Sequence, residues 1–314
     1  MIYTGVDIGG TKCAVSSGDE NGRITKKIVF NTTDVEQTLH NIIDAVGEIG
    51  CGSAIGISCG GPLNSKEGII LSPPNLPDWD NIRITEILKN KFKVPAFLKN
   101  DADACALAEW NFGAGRGTSN MIFLTFGTGM GAGIILNGKL YSGTCDMAGE
   151  IGHVRMESNG PVGYGKEGSF EGFCSGNGIA QMGALMAKER FRRGQRVSFC
   201  RSPEEIDGIT AKNIAEYADK GEKDALEIYH KCGHMLGRGL SILIDVLNPE
   251  MIVIGSIFAR SERLLRAEME KVIKRECLDK PANRCRIMPA KLGETLGDVA
   301  AVSVAVNGMN GVIM

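Results

Sequence analysis

No run of this chain stays apolar for the roughly 18–20 residues a membrane-spanning helix takes. Its start, MIYTGVDIGG, shows no basic region ahead of an apolar core, so neither a membrane anchor nor a secretory leader is expected. An excess of one charge is missing too. The 35 Lys and Arg stand against 37 Asp and Glu, a net charge of −2, which provides no basic field for nucleic acid and no polybasic membrane patch. The cluster of Arg190, Arg192 and Arg193 beside Glu189 reads as a solvated helix end. No CxxC pair occurs among the ten cysteines, and Cys13, Cys59 and Cys105 lie inside apolar segments. That pattern argues against a disulfide framework and predicts buried, reduced thiols in a cytoplasmic protein. No GxxxxGK[ST] stretch is present, which argues against a P-loop.

What is present is an ordinary soluble composition, 43% hydrophobic and 23% charged, over 314 residues, enough for two domains. Strands are predicted at 2–7, 12–16, 24–30, 54–58, 96–98, 121–126, 132–136 and 251–255. Helices are predicted at 35–49, 102–110, 178–193, 211–220, 222–247, 260–275 and 298–306. The segment SPPNLPDW at 72–79 is a proline-bound loop. One pattern occurs twice: strand, Gly/Thr turn, strand, Asn-Gly turn, near 5–22 and again near 122–138. Two related α/β halves with a cleft between them would produce it, and so would two unrelated glycine hairpins.

Four stretches carry chemistry. In Asp7-Ile8-Gly9-Gly10-Thr11-Lys12 the glycines let backbone approach a phosphate, Thr11 adds a hydroxyl, and Asp7 at a strand end suits Mg²⁺ through water. A plain hairpin turn fits the same residues. Gly127-Thr128-Gly129-Met130-Gly131 is not GxGxxG and joins two strands, which argues against a dinucleotide site. Two such turns suit a clamp on nucleotide phosphates. Asp101, in Lys99-Asn100-Asp101-Ala102, stands where a strand ends, placed to take a proton from an attacking hydroxyl. On spacing alone, N-cap of the following helix is the stronger reading of Asp101. Glu150 and His153 in Gly149-Glu150-Ile151-Gly152-His153, with Glu171 beyond, suit hydrogen bonding to a polyol, although a charged surface loop would look the same.

These four in this order resemble the ROK family of sugar kinases and repressors, along essentially the whole chain. The resemblance implies an α/β fold of the actin-like ATPase (ribonuclease H-like) type, two lobes with a central cleft: residues 1–115 with the helix at 298–314, and residues 116–297. It implies ATP contacts from Asp7, Gly9, Gly10, Thr11, Lys12, Thr128, Gly129 and Gly131, and from Gly255 in Ile252-Val253-Ile254-Gly255, where the family's usual second glycine is Ser256. Sugar contacts would come from Gly61 in Gly60-Gly61-Pro62, Asn75 in Asn75-Leu76-Pro77-Asp78-Trp79, Asn100, Asp101, Glu150, His153 and Glu171. Asp101 would be the catalytic base for the 6-hydroxyl of a hexose, glucose foremost, with ATP and Mg²⁺ as partners of the reaction. N-acetylmannosamine, N-acetylglucosamine, allose, mannose and fructose are alternatives, and an inactive sugar-binding protein is the non-enzyme one. The family's repressors carry a helix-turn-helix ahead of the first motif. Asp7 stands near the start of this chain, so no DNA binding is expected. A homodimer is implied by the resemblance alone.

The chain departs from the family in GPVGYGKEGSFEGFCSG, residues 160–176. Where the family's pattern has three cysteines that bind structural zinc with the histidine, Val162, Tyr164 and Ser169 stand here, and Cys174 falls outside the pattern. No zinc is therefore expected. The loop is expected to present Glu171 and steady His153, with packing by Tyr164, Phe170 and Phe173 in place of the metal.

Overall fold

The computed structural model describes residues 1–313. Along the chain come β1 (Ile2–Ile8), β2 (Lys12–Asp19), β3 (Ile24–Asn31), α1 (Val35–Ile49), β4 (Ile55–Cys59), β5 (Leu63–Asn64), β6 (Ile69–Ile70), α2 (Ile84–Phe92), β7 (Ala96–Asn100) and α3 (Asp101–Asn111). Then follow β8 (Met121–Leu124), β9 (Ala132–Leu136), β10 (Lys139–Leu140), β11 (Val162–Gly163), β12 (Lys166–Glu167), α4 (Phe170–Phe173), α5 (Gly176–Arg192) and α6 (Ala211–Ala218). The chain closes with α7 (Lys223–Leu247), β13 (Met251–Ile254), α8 (Ile257–Glu276), α9 (Asp279–Arg284), β14 (Arg286–Pro289) and α10 (Leu296–Met309). The chain divides into two compact units. The first comprises Met1–Phe123, Gly133–Gly149 and Ala290–Met314, and the second Leu124–Ala132 and Glu150–Pro289.

The first unit is built on a sheet of order β3-β2-β1-β4-β7. β1, β2 and β3 are antiparallel neighbours because turns of a few residues join them, while β4 and β7 run parallel to β1 after helical crossovers. This is the strand pattern of the ribonuclease H-like fold. One face buries Val6, Ile8, Val15, Ile57 and Leu98 with Ile42 and Val46 of α1, Ile84 and Leu88 of α2, and Trp79 from the proline-bound loop. The other face takes α10, apolar nearly all round and buried from Asp298 to Asn307. Two glycines in register, Gly5 and Gly56, make room for it. A Cβ on Gly56 would stand 2.2 Å from the Ala301 carbonyl oxygen, so helix and sheet meet backbone to backbone.

The second unit is mainly helical. Its longest helix, α7, buries Ile228, Cys232, Leu236, Leu240 and Ile244 along one stripe. Gly233 and Gly237 let α8 approach, since Cβ atoms there would lie 2.9 Å from the Leu265 oxygen and 2.7 Å from the Met269 oxygen. β13 and β14 pair in parallel, Met251 with Arg286. α2 and β14 had no expectation from the sequence. All ten cysteines are free thiols, with Cys13 and Cys59 buried as expected and Cys105 half-buried. Among the described residues no helix is long and apolar enough to cross a membrane.

Candidate active site

In the first unit β1 delivers Asp7 between Ala14 of antiparallel β2 and Ser58 of parallel β4, one residue before the strand ends. The turn that follows is closed by the Gly9 N–H donating to the Lys12 oxygen at 3.1 Å. The Thr32 hydroxyl donates to the Gly9 oxygen at 2.6 Å. Gly10, Thr11 and Lys12 are exposed. Gly10 is required by proximity, because a Cβ there would stand 2.4 Å from the backbone oxygen of Asn75. The expected phosphate turn and the expected sugar loop thus touch in this unit. Gly61 is exposed, with open space where a side chain would stand.

Asp7 is pushed up to about 6. Burial is the main cause, and the like charges of Asp101 and Asp298 add to it, while Lys27 and a hydrogen bond from Ser58 pull the other way. Asp298 was not singled out from the sequence. It accepts from Ser16 at 3.2 Å and from Lys27 at 2.7 Å, and its Leu296-Gly297-Asp298 segment gave only a helix start.

β7 ends at Asn100, and there the expected capping role is corrected. The Asn100 Oδ1 accepts from the Asp103 N–H at 2.7 Å, so Asn100, not Asp101, is the N-cap of α3. Asp101 becomes the first helical residue, its Oδ1 accepting from the Ala102 N–H at 2.8 Å. Its side chain keeps access to solvent. Surrounding protein desolvates the carboxyl and raises its pKa, against the pull of the Ala102 and Asp101 N–H groups. A solvent-reaching carboxyl whose pKa is raised by burial, with the capping role taken by Asn100, is suited to accepting a proton.

The second unit holds the other turn. Gly127 N–H donates to the Gly129 oxygen at 3.1 Å, and Thr125 and Gly131 exchange bonds below it. Thr128 is exposed at the tip. Three backbone bonds brace this turn: Gly176 N–H to the Gly127 oxygen at 2.8 Å, Ile257 N–H to the Phe126 oxygen at 2.8 Å, and Gly255 N–H to the Leu124 oxygen at 2.9 Å. Ser256 adopts φ 49° and ψ −108°, a region glycine favours.

Glu171 joins the turn directly, its Oε2 accepting from the Met130 N–H at 2.8 Å. Glu150 and His153 flank the short helical turn Ile151–His153, closed by the His153 N–H on the Glu150 oxygen at 3.1 Å. The rebuilt loop is a small hairpin. β11 and β12 pair across Tyr164 and Gly165, whose φ of 43° and 73° describe a type I′ turn. Ser169, fully buried, caps α4 by accepting from the Gly172 N–H at 3.1 Å, which sets Glu171 in the helix's first turn. Lys166 Nζ donates to the His153 oxygen at 2.8 Å, and the Tyr164 ring stands edge-on to the His153 imidazole, centroids 6.4 Å apart. Phe170 and Phe173 are buried, but Tyr164 is 75% exposed and stands beside His153 at the surface, not in a core. Cys174 is buried against the Cys232 oxygen of α7, and burial raises its thiol well above the usual range.

These residues do not fit a zinc ion. Val162 offers no donor, Ser169 Oγ is committed to Gly172 and Gly163, and Tyr164 points its ring at His153. Magnesium is different in kind. Among the described residues no cluster of carboxylates is grouped to ligate a cation, and only Asp7, at its strand end, is of the kind that could hold magnesium through water.

Asp7, Gly9, Gly10, Thr11, Lys12, Gly61, Asn75, Asn100 and Asp101 therefore lie in the first unit, and Thr128, Gly129, Gly131, Glu150, His153, Glu171 and Gly255 in the second. The architecture is that of the actin-like ATPases: over 99% of this chain and 100% of the other it superposes on a ROK hexokinase from Thermus thermophilus, TM-score 0.82, 26% identity. Residues 3–307 match the ROK family, and the chain belongs to it. It is 30% identical to a glucokinase from Thermotoga maritima over 96% of each chain. A ROK glucokinase from Streptomyces griseus, solved in complex with glucose and AMPPNP, matches with TM-score 0.76 and 29% identity over 97% of this chain and 99% of that one.

Proposed function

We propose that this chain is a glucose-type sugar kinase that transfers the γ-phosphoryl group of ATP to the 6-hydroxyl of a hexose, glucose first. The observation that carries the reading is at the end of β7: Asn100 caps α3, so Asp101 keeps a solvent-reaching carboxyl of raised pKa. Asp101 accepts the proton of the attacking hydroxyl, and Asn100, Asn75, Gly61, Glu150, His153 and Glu171 hold the sugar. The turns at 9–12 and 128–131 present backbone N–H groups and threonine hydroxyls to the nucleotide's phosphates. Magnesium arriving with ATP supplies charge neutralisation at the phosphates, and Asp7 is the residue that would hold its waters. Asp7 does so in its ionised form, so turnover is expected to fall as pH drops through about 6.

The names of the relatives support a glucokinase-like substrate. Sugar selection among glucose, mannose, allose, fructose and the N-acetylhexosamines belongs to the shape of the pocket. Coupled assay of each with Mg-ATP, and ³¹P NMR of the product, tests the reading. Phosphorylation at C6 of one sugar is expected, and phosphorylation elsewhere or none would overturn it. The proposal includes a cytoplasmic homodimer, free of nucleic acid, and no structural zinc. Washing with chelator should leave the melting temperature and kcat unchanged, and loss of either with stoichiometric zinc release would contradict that part.

A further inference from the structure

Behind the catalytic strand end lies a buried polar cluster that no step above uses, all of it in the first unit. Lys99 of β7 is 4% exposed, and its Nζ donates to Ser65 Oγ at 3.0 Å and to Ser142 Oγ at 3.2 Å, with Asp146 Oδ1 at 4.0 Å. Asp146 accepts the Ser65 hydroxyl at 2.6 Å and the Ser65 N–H at 2.8 Å. Ser142 in turn donates to Asp103 Oδ2 at 2.9 Å. Asp103 is 1% exposed, and its Oδ1 is buried without a partner.

Stability does not explain this. Lysine and aspartate are rarely buried, a buried ion pair is often no better than well-packed apolar side chains, and an orphaned carboxylate oxygen is a cost. What the cluster does is tie two pieces of chain. Lys99 and Asp103 flank Asn100 and Asp101. Ser142 and Asp146 belong to the 142–148 loop, which the Ala148 N–H closes on the Ser142 oxygen at 3.1 Å and which runs straight into Gly149 and Glu150.

We propose that Asp103, Lys99, Ser142 and Asp146 form a buried latch that fastens the 142–148 loop to the catalytic strand and thereby positions Glu150 for the sugar. The inference rests on the kinase reading for its sugar. Asp103, Lys99 and Asp146 are positioning residues and touch no reacting atom. The groups facing Asp103 are Lys99 from β7, Ser142 and Asp146 from the loop, and Asp101 from its own helix, with Lys66 acting on Lys99. Burial pushes Asp103 up to about 7, with Ser142 and Lys99 pulling down and Asp146 and Asp101 pushing up. Burial lowers Lys99, against Asp103 and Asp146. Ionised Asp103 accepts more strongly from Ser142 and adds its charge to that of Asp146 near Lys99, so the latch tightens as pH rises through the neutral range.

The test takes the full chain as wild type, Asp103→Asn, Ser142→Ala and Lys99→Met. Ser142→Ala removes one oxygen and keeps the fold if Lys99→Met does not. Hydrogen exchange at the Ala148 and Ser65 amides should quicken about tenfold in each variant. Sugar KM should rise about tenfold while ATP KM holds, and the fall in wild-type sugar KM from pH 6 to pH 8 should flatten in Asp103→Asn. A merely structural cluster would lower the melting temperature and leave that pH profile alone. Unchanged exchange would overturn the latch even if no sugar were turned over, whereas absent turnover with quickened exchange would count against the kinase reading and leave the latch standing. Quickened exchange with unchanged sugar KM would overturn the link to Glu150.

Discussion

The two glycine turns look alike in sequence and are built differently. At 9–12 the turn is hemmed by backbone, the Asn75 carbonyl pressing on Gly10, and buried carboxylates stand behind it, with Asp7 raised to about 6. At 127–131 the turn is braced by backbone bonds from Gly176, Gly255 and Ile257, and its close neighbour is the tip of a side chain, Glu171 Oε2, 2.7 Å from where a Gly129 Cβ would stand. One repeat has become a site of stored charge and the other a rack of N–H groups. The difference teaches that a motif defines a turn, while its neighbours decide what the turn tolerates.

Substitutions can break that comparison. The largest expected effect after loss of Asp101 itself is at Gly10. Gly10→Ala forces the Asn75 backbone aside and should cost at least about tenfold in kcat/KM. Gly129→Ala displaces only a carboxylate tip and should cost several-fold less, chiefly in sugar KM because Glu171 moves. Equal losses in steady-state kinetics would show that the two turns are alike after all.

Asp7 comes next. A carboxyl whose folded pKa is raised contributes stability below its unfolded value near 4 and loses it as pH rises through about 6. Asp7→Asn should therefore melt higher than wild type above pH 6, by up to about 3 kcal/mol, and match it near pH 4. Such a gain with reduced turnover would mark charge stored for function. A midpoint difference independent of pH would refute the stored charge.

The smallest effect concerns the brace of the second turn. Ser256 holds φ 49°, and Ser256→Gly should relieve roughly 1 kcal/mol of backbone strain, seen as a raised urea midpoint. A lowered midpoint would assign the hydroxyl a role the strain argument ignores.

Much of this was legible in the chain. The Asn21-Gly22 and Asn137-Gly138 turns, the helix at 35–49 and the strand at 132–136 follow from local chemistry, and the structure has them there. The expectation that missed, Asp101 as N-cap, did so because Asn100 and Asp101 are both good caps and spacing cannot choose between adjacent residues. α2 was missed although Ile84, Ile87, Leu88 and Phe92 fall at helical spacing, because at nine residues it is short and follows the proline-bound loop; Ile84 and Leu88 carry it into the core. Asp298 and Asp103 were hidden because each matters through a partner far away in sequence: Ser16 and Lys27 for one, Ser142 for the other. The glycine loop was expected to present Glu171 and steady His153; the structure has Glu171 in the first turn of α4 and the Tyr164 ring beside His153, with Tyr164 at the surface instead of packed in a core.

The central claim is that Asp101 takes the proton of a sugar hydroxyl in phosphoryl transfer. Sugar-dependent ADP release from Mg-ATP, measured for wild type and Asp101→Asn under saturating sugar, tests it most directly. Wild-type turnover with a hexose, reduced at least about 100-fold in the variant while sugar affinity changes little, is the predicted result. Near-wild-type turnover in Asp101→Asn would contradict it.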